Sequence, residues 1–273
     1  MPELPDLQVV QEFLARELAG AIVAGAEVRR PLVVRDLLGS PPGAALAGKG
    51  ILQVRRWGKF LCIELQQGIW LVINPKLAGR LALCAGDDPV SGHTVLRLCL
   101  RDGRDLRYLD AKDMGQVYVA RSPQQVPGYV AQGPDALDPM LTVEVFVQRL
   151  RPFRGEIKGV LRRQELVAGI GNAYADEILF AACISPFRKV TSLTAGERER
   201  LYQAMRETLA EAVCVLRERV GHRIDIEVRD FLKVHGRGGE PCPVCGQAIS
   251  QLTARQQITS FCRRCQPGTL VRN

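Results

Sequence analysis

Four cysteines near the C-terminus constrain this chain more than any other feature. Cys242-x2-Cys245 and Cys262-x2-Cys265 form two like pairs with 16 residues between them. A Cys-x2-Cys turn offers both sulfurs to one metal, and two such turns complete a tetrahedral thiolate shell. Gly246, directly after the second cysteine, suits the tight turn that shell needs. Four protein ligands leave no open position, so the predicted Zn2+, one per chain, is structural. A segment this short holds too little core to fold without the metal. Cys62, Cys84, Cys99, Cys183 and Cys214 are scattered among apolar neighbours and read as small core residues.

The rest of the 273 residues divides by hydrophobic period. Residues 4–19 carry Leu7, Val10, Phe13, Leu14 and Leu18 at helical spacing, with Gly20 beyond. From about residue 22 to 120 short β-like runs follow, at 60–65, 69–73, 95–100, 106–109 and 117–120, with Asp102-Gly103 as a hairpin signal. Residues 121–140 are rich in proline and glycine and read as a linker. Helical spacing then returns at 143–151, 159–166, 173–182 and 195–219. The predicted fold class is α+β and multidomain. An N-terminal helix with an antiparallel β-sandwich occupies 1–125, a linker 126–140, a helical domain 141–234 and a zinc-finger hairpin 235–273.

Lys and Arg outnumber Asp and Glu by 37 to 29, a net charge of +8. That surplus suits a polyanionic partner without identifying one. No stretch is apolar over the ~18 residues a membrane span needs. The first residues carry acids and no continuous apolar core, unlike a signal peptide, so a cytoplasmic protein without a membrane partner is expected.

Chemistry concentrates in two segments. Pro2-Glu3-Leu4-Pro5-Asp6 opens the chain, and small Pro2 favours removal of Met1. The exposed secondary amine would titrate at roughly 8, against ~10 for lysine, so much of it is nucleophilic near neutral pH. Attack on a sugar C1′ gives an iminium ion, which acidifies C2′ and permits strand scission by elimination. Glu3 is placed to protonate the opening sugar ring. Pro2 is also an ordinary helix-starting residue. The second segment, Gly169-Ile170-Gly171-Asn172, lies between two helical stretches. Its glycines expose backbone N–H groups where the next helix starts, a phosphate-binding arrangement that an ordinary helical hairpin shares.

Together these motifs resemble the formamidopyrimidine-DNA glycosylase / endonuclease VIII family over essentially the whole chain. PELPD is similar to its N-terminal motif, and Arg56-Trp57-Gly58-Lys59-Phe60-Leu61 to its basic β-turn. QELVAGIGNAYADEILFAACISP is similar to its helix–two-turn–helix, and CPVCG with FCRRCQ to its finger. The resemblance implies Pro2 as Schiff-base nucleophile, Glu3 as acid, and Lys59 on the lesion-strand phosphate, assisting β-elimination. It places Gly169, Gly171, Asn172 and His93 on backbone phosphates around a flipped nucleotide, which must leave the stack to be reached.

Four departures stand out. The family's His-x-x-Met-Ser-Gly loop is Asn74-Pro75-Lys76-Leu77-Ala78-Gly79 here, making Leu77 the wedge. Lys112 and Met114 stand where an arginine and a phenylalanine read the orphan base. Gln257 aligns with the finger arginine linked to δ-elimination, and Arg255 is the candidate to compensate. The stretch from Asp230 to Arg237 is too short for the capping loop of 8-oxoguanine enzymes, a feature nearer the endonuclease VIII side. The implied function is a bifunctional DNA glycosylase/AP lyase of base excision repair. It would act as a monomer on damaged duplex DNA in the cytoplasm, at the nucleoid of a bacterium, on oxidised pyrimidines, formamidopyrimidines and abasic sites. The alternative is a lesion- or abasic-site-binding protein whose glycosylase chemistry is weak or lost.

Overall fold

The computed structural model describes residues 1–39, 41–254 and 257–268. They form two compact units, Met1–Ala131 with Val213–Val228, and Gln132–Ala212 with Arg229–Asn273.

The first unit opens with helix α1 (Leu4–Glu17), which buries Leu4, Leu7, Val10 and Leu14 along one stripe. Asp6 caps its start by accepting the Glu3 backbone N–H at 2.8 Å. After β1 (Val23–Val28), β2 (Val34–Asp36) and the short helix α2 (Pro42–Leu46) come seven strands. They are β3 (Ile51–Trp57), β4 (Phe60–Leu65), β5 (Ile69–Asn74), β6 (Arg80–Ala85), β7 (Thr94–Leu100), β8 (Arg104–Leu109) and β9 (Gln116–Ala120). One sheet runs β2-β9-β5-β4-β3 and the other β1-β7-β8-β6. All pairs are antiparallel except β2 with β9.

Strands β4 and β5 are buried almost end to end, the mark of a strand covered on both faces. Side chains alternate along them. Phe60, Cys62 and Val72 join Tyr118 and Val126 in one cluster. Tyr129 closes that cluster, edge-on to Phe60 at 5.5 Å between ring centres. The segment expected to be a bare linker therefore begins as a cover for this sheet. Leu61 and Ile73, cross-strand partners, point the other way and help line a cleft with Pro2 and Leu7 of the N-terminal segment.

In the second unit, α3 (Val143–Leu150) is capped by the Thr142 hydroxyl, which accepts from Val145 N. Helix α4 (Ile157–Leu161) ends five residues before the predicted 166, and α5 (Asn172–Ala181) follows. Between them the chain makes two turns around Gln164. The Gln164 amide donates to the carbonyls of Arg162 and Ile170, each at 2.9 Å, and its oxygen accepts from Gly169 N at 2.9 Å. Gly169 takes φ +105°, which side chains rarely adopt, so glycine is required there. The long α6 (Ala195–Val220) passes from this unit into the first, to which residues 213–220 belong. The finger adds the antiparallel hairpin β10 (Ser250–Ala254) and β11 (Gln257–Phe261).

Candidate active site

The amino end of α1 sits at an apolar cleft in the first unit. Pro2, Leu7, Leu61, Ile73 and Leu81 line it, with Asp6, Arg80 and Glu227 as its charged residues. Pro2 is buried, and Glu3 is only 1% exposed beside it. The Met1 ammonium donates to Glu227 Oε1 at 3.0 Å, and Arg80 donates to the other oxygen of the same carboxylate. The short stretch after α6 contributes Ile224, Ile226 and Glu227 to the wall.

Lys59 is half-buried in the β3–β4 turn, just after Gly58. Arg56 ties that turn to α1 by donating to Gln8 Oε1 at 2.8 Å and to Gly58 O at 3.0 Å.

The two loops with unusual sequences are held from below by one side chain. Leu77 and Met114 stand out at 43% and 49% exposure. A Cβ on Gly79 would lie 2.2 Å from the Tyr108 hydroxyl oxygen, and one on Gly115 1.8 Å from it. Only glycine lets both loops approach this buried ring, and burial pushes the Tyr108 phenol well above its usual range. Asp110 organises the second loop, accepting from Lys112 N at 3.0 Å and Gly115 N at 2.6 Å. Lys112 is exposed, as is His93, whose carbonyl accepts from Asp110 N at 2.9 Å. Asp110, Arg80 and Glu227 were not singled out from sequence. Asp110 carried a usable signal, since an Asp followed by a polar turn often caps its own backbone.

In the second unit Gly171 is the N-cap of α5, so the N–H groups of the turn do open a helix as expected. Asn172 is partly committed elsewhere. Its amide donates to Ile258 O of β11 at 2.8 Å, while its buried Oδ1 has no hydrogen-bond partner among the described residues. Gln257 is not isolated, because Arg162 at the end of α4 donates to its side-chain oxygen. Arg255, named as a compensating cation, lies outside the described residues.

A buried ionic knot fixes the finger to α5. Asp176 meets Lys158 Nζ at 2.7 Å and His235 Nδ1 at 2.7 Å, and accepts from Ser260 N at 3.0 Å. Lys158 also donates to Ile258 O at 2.7 Å and Thr259 Oγ1 at 3.0 Å. Glu177 accepts the backbone N–H groups of Lys233, Val234 and His235, each at 2.8 Å. Two acids on the buried face of an otherwise apolar helix were the available sequence signal, since buried charges require partners.

The four finger sulfurs lie within 4.8 Å of one another, with Cys242–Cys265 at 3.8 Å and Cys245–Cys262 at 3.4 Å. A tetrahedral zinc with sulfurs at ~2.3 Å requires edges of about 3.8 Å, so the residues fit that ion. A backbone hydrogen bond from Gln247 draws the Cys245 thiol down to about 7, whereas burial raises Cys262 and Cys265. A bound cation would displace the protons that burial retains.

A two-sheet unit with Pro2 in its cleft, a helix–two-turn–helix and a four-cysteine finger define a DNA glycosylase of base excision repair. Family descriptions match in the same order. The formamidopyrimidine-DNA glycosylase N-terminal domain covers residues 1–117, the H2TH domain of that enzyme 132–222, and a zinc finger found in FPG and IleRS 239–268. The chain is 35% identical to a formamidopyrimidine-DNA glycosylase of Pelotomaculum thermopropionicum, over 97% of this chain and 99% of the relative. It is 36% identical to the one from Symbiobacterium thermophilum, over 98% and 90%. Among solved structures, the FPG of Thermus thermophilus superposes with a TM-score of 0.84 at 33% identity, over 97% of this chain and 98% of that one. A Lactococcus lactis FPG mutant in complex with Fapy-dG DNA gives 0.87 at 27% identity, over 98% and 100%. The chain belongs to the formamidopyrimidine-DNA glycosylase family.

Proposed function

We propose that this protein is a bifunctional glycosylase and AP lyase in which the Pro2 amine, freed by loss of Met1, attacks C1′ of a flipped nucleotide. The observation that carries this reading is the placement of a buried proline at the chain end inside an apolar cleft, next to an almost fully buried Glu3. Glu3 protonates the opening sugar, and Lys59, on a turn tied to α1, engages the phosphate of the lesion strand. Leu77 fills the vacated stack, while Lys112 and Met114 face the orphan base.

In the second unit Gly169, Gly171 and Asn172 offer the N-terminus of α5 to a phosphate. Arg162, donating to Gln257, brings a guanidinium to the place where the finger arginine is missing, and Arg255 is the further candidate cation that the sequence offers. Residues 1–125 thus carry the chemistry, and 141–234 and 235–273 grip the duplex, with 126–140 joining them. The protein works as a monomer at the bacterial nucleoid.

The stretch from Asp230 to Arg237 is too short for a capping loop, which supports selection by ease of extrusion over close reading of one base. Lys112 lacks the planar fork that arginine would offer an orphan cytosine. Abasic sites and oxidised pyrimidines are therefore the preferred substrates over 8-oxoguanine opposite cytosine. Single-turnover cleavage of matched duplexes tests this, and faster cleavage of the 8-oxoguanine:cytosine pair would refute it.

A further inference from the structure

Two acids that this assignment leaves unused line the cleft, Asp6 and Glu227, and Glu227 is the one that meets the amine. Glu227 reaches the chain end from the segment after α6, with one carboxylate oxygen on the Met1 ammonium at 3.0 Å and the other on Arg80. Both residues line the cleft together with Pro2. A fixed cation on one oxygen limits rotation of the carboxylate and keeps its partner oxygen on the amine. Asp6, the nearest acid in sequence after Glu3, instead accepts from the Glu3 backbone.

Loss of Met1 moves the chain-end amine onto Pro2, at the same wall. We infer that Glu227 is a further catalytic residue, the acceptor of the proton that the Pro2 nitrogen must lose as it forms the Schiff base. The inference rests on Pro2 being the nucleophile. At an abasic site the nitrogen adds to the aldehyde carbon C1′, and the carbonyl π pair moves to oxygen. The nitrogen then carries a positive charge and a single N–H, made acidic by the oxygen on C1′. Glu227 takes that proton. With one more proton from solvent, it leaves on the former carbonyl oxygen as water while the nitrogen lone pair closes the iminium. Arg80 acts through Glu227, as a positioning residue.

Borohydride trapping on an abasic duplex under single-turnover conditions separates proton transfer from binding. Glu227→Gln keeps size and a hydrogen-bond acceptor but accepts no proton. Its trapping rate should fall roughly 10²-fold, within the range for a positioned base, while duplex affinity stays within about twofold. Glu227→Ala should trap as slowly, and added formate should restore part of its rate. Wild-type trapping by Glu227→Gln, or no response of Glu227→Ala to formate, would overturn the inference. Mapping the adduct in the unmutated protein keeps the two claims apart, because an adduct away from Pro2 refutes the nucleophile and not the acid.

Discussion

Replacing Asp176 should unfasten the finger from the helical unit. The carboxylate is fully enclosed and answers Lys158, whose side chain is 8% exposed, at 2.7 Å. Removing one partner of a buried ion pair costs about 3–5 kcal/mol, because the remaining charge is left uncompensated. The Ser260 N–H, also buried, loses its acceptor, which on its own costs about 1–3 kcal/mol. The two losses share one site and do not add fully, so about 4 kcal/mol is expected for Asp176→Ala. Trp57 and Trp70 both lie in the first unit, so their fluorescence reports that unit alone. Zinc release to a chromogenic chelator reports the second, and far-ultraviolet circular dichroism reports both. In urea the second transition should move down by roughly 1.5–3 M, with the tryptophan transition in place. The double variant Asp176→Asn with Lys158→Met should recover much of the loss, since an uncharged pair leaves no buried charge. A shift under about 0.3 M in Asp176→Ala would refute the ionic knot as the fastening.

Two further outcomes follow from the finger and the phosphate contacts. Elemental analysis should find one zinc per chain, and Cys245→Ser should lose it together with DNA binding; metal-free protein that still binds DNA normally would contradict this. The logarithm of DNA affinity should fall linearly with the logarithm of salt, and Lys59→Ala should flatten that slope by about 0.9, whereas Asn172→Ala weakens binding with little change in slope. Equal slopes for the unmutated protein and Lys59→Ala would remove Lys59 from the phosphate.

The zinc shell and the order of elements were legible because they depend on spacing. Two Cys-x2-Cys pairs have few other uses, and α1 shows its stripe at Leu7, Val10 and Leu14. Strands β4, β5, β7, β8 and β9 announced themselves as apolar runs, whereas β1, β2, β3 and β6 did not. β1 is mostly small residues around Gly25 with one charge, Glu27, and its burial reads as a mostly half-covered edge. Helix α4 stopped early because Gln164 takes over the backbone groups that a longer helix would have paired. In the cleft, Pro2 and Glu3 were local to one motif and visible. Arg80 and Glu227 are 147 residues apart and share a cleft only through tertiary folding, which no local pattern encodes. The Tyr108 hydroxyl under Gly79 and Gly115 was hidden for the same reason.

The central claim is that the nucleophile is the chain-end proline, and one measurement tests it directly. The purified protein, with Met1 removed, is reduced with borohydride on an abasic duplex, and the adduct is digested and mapped by mass spectrometry. The account predicts a single adduct on the N-terminal peptide at the Pro2 nitrogen, and no adduct from protein that retains Met1. An adduct on Lys59 or another lysine, or undiminished trapping by the Met1-retaining form, would contradict it.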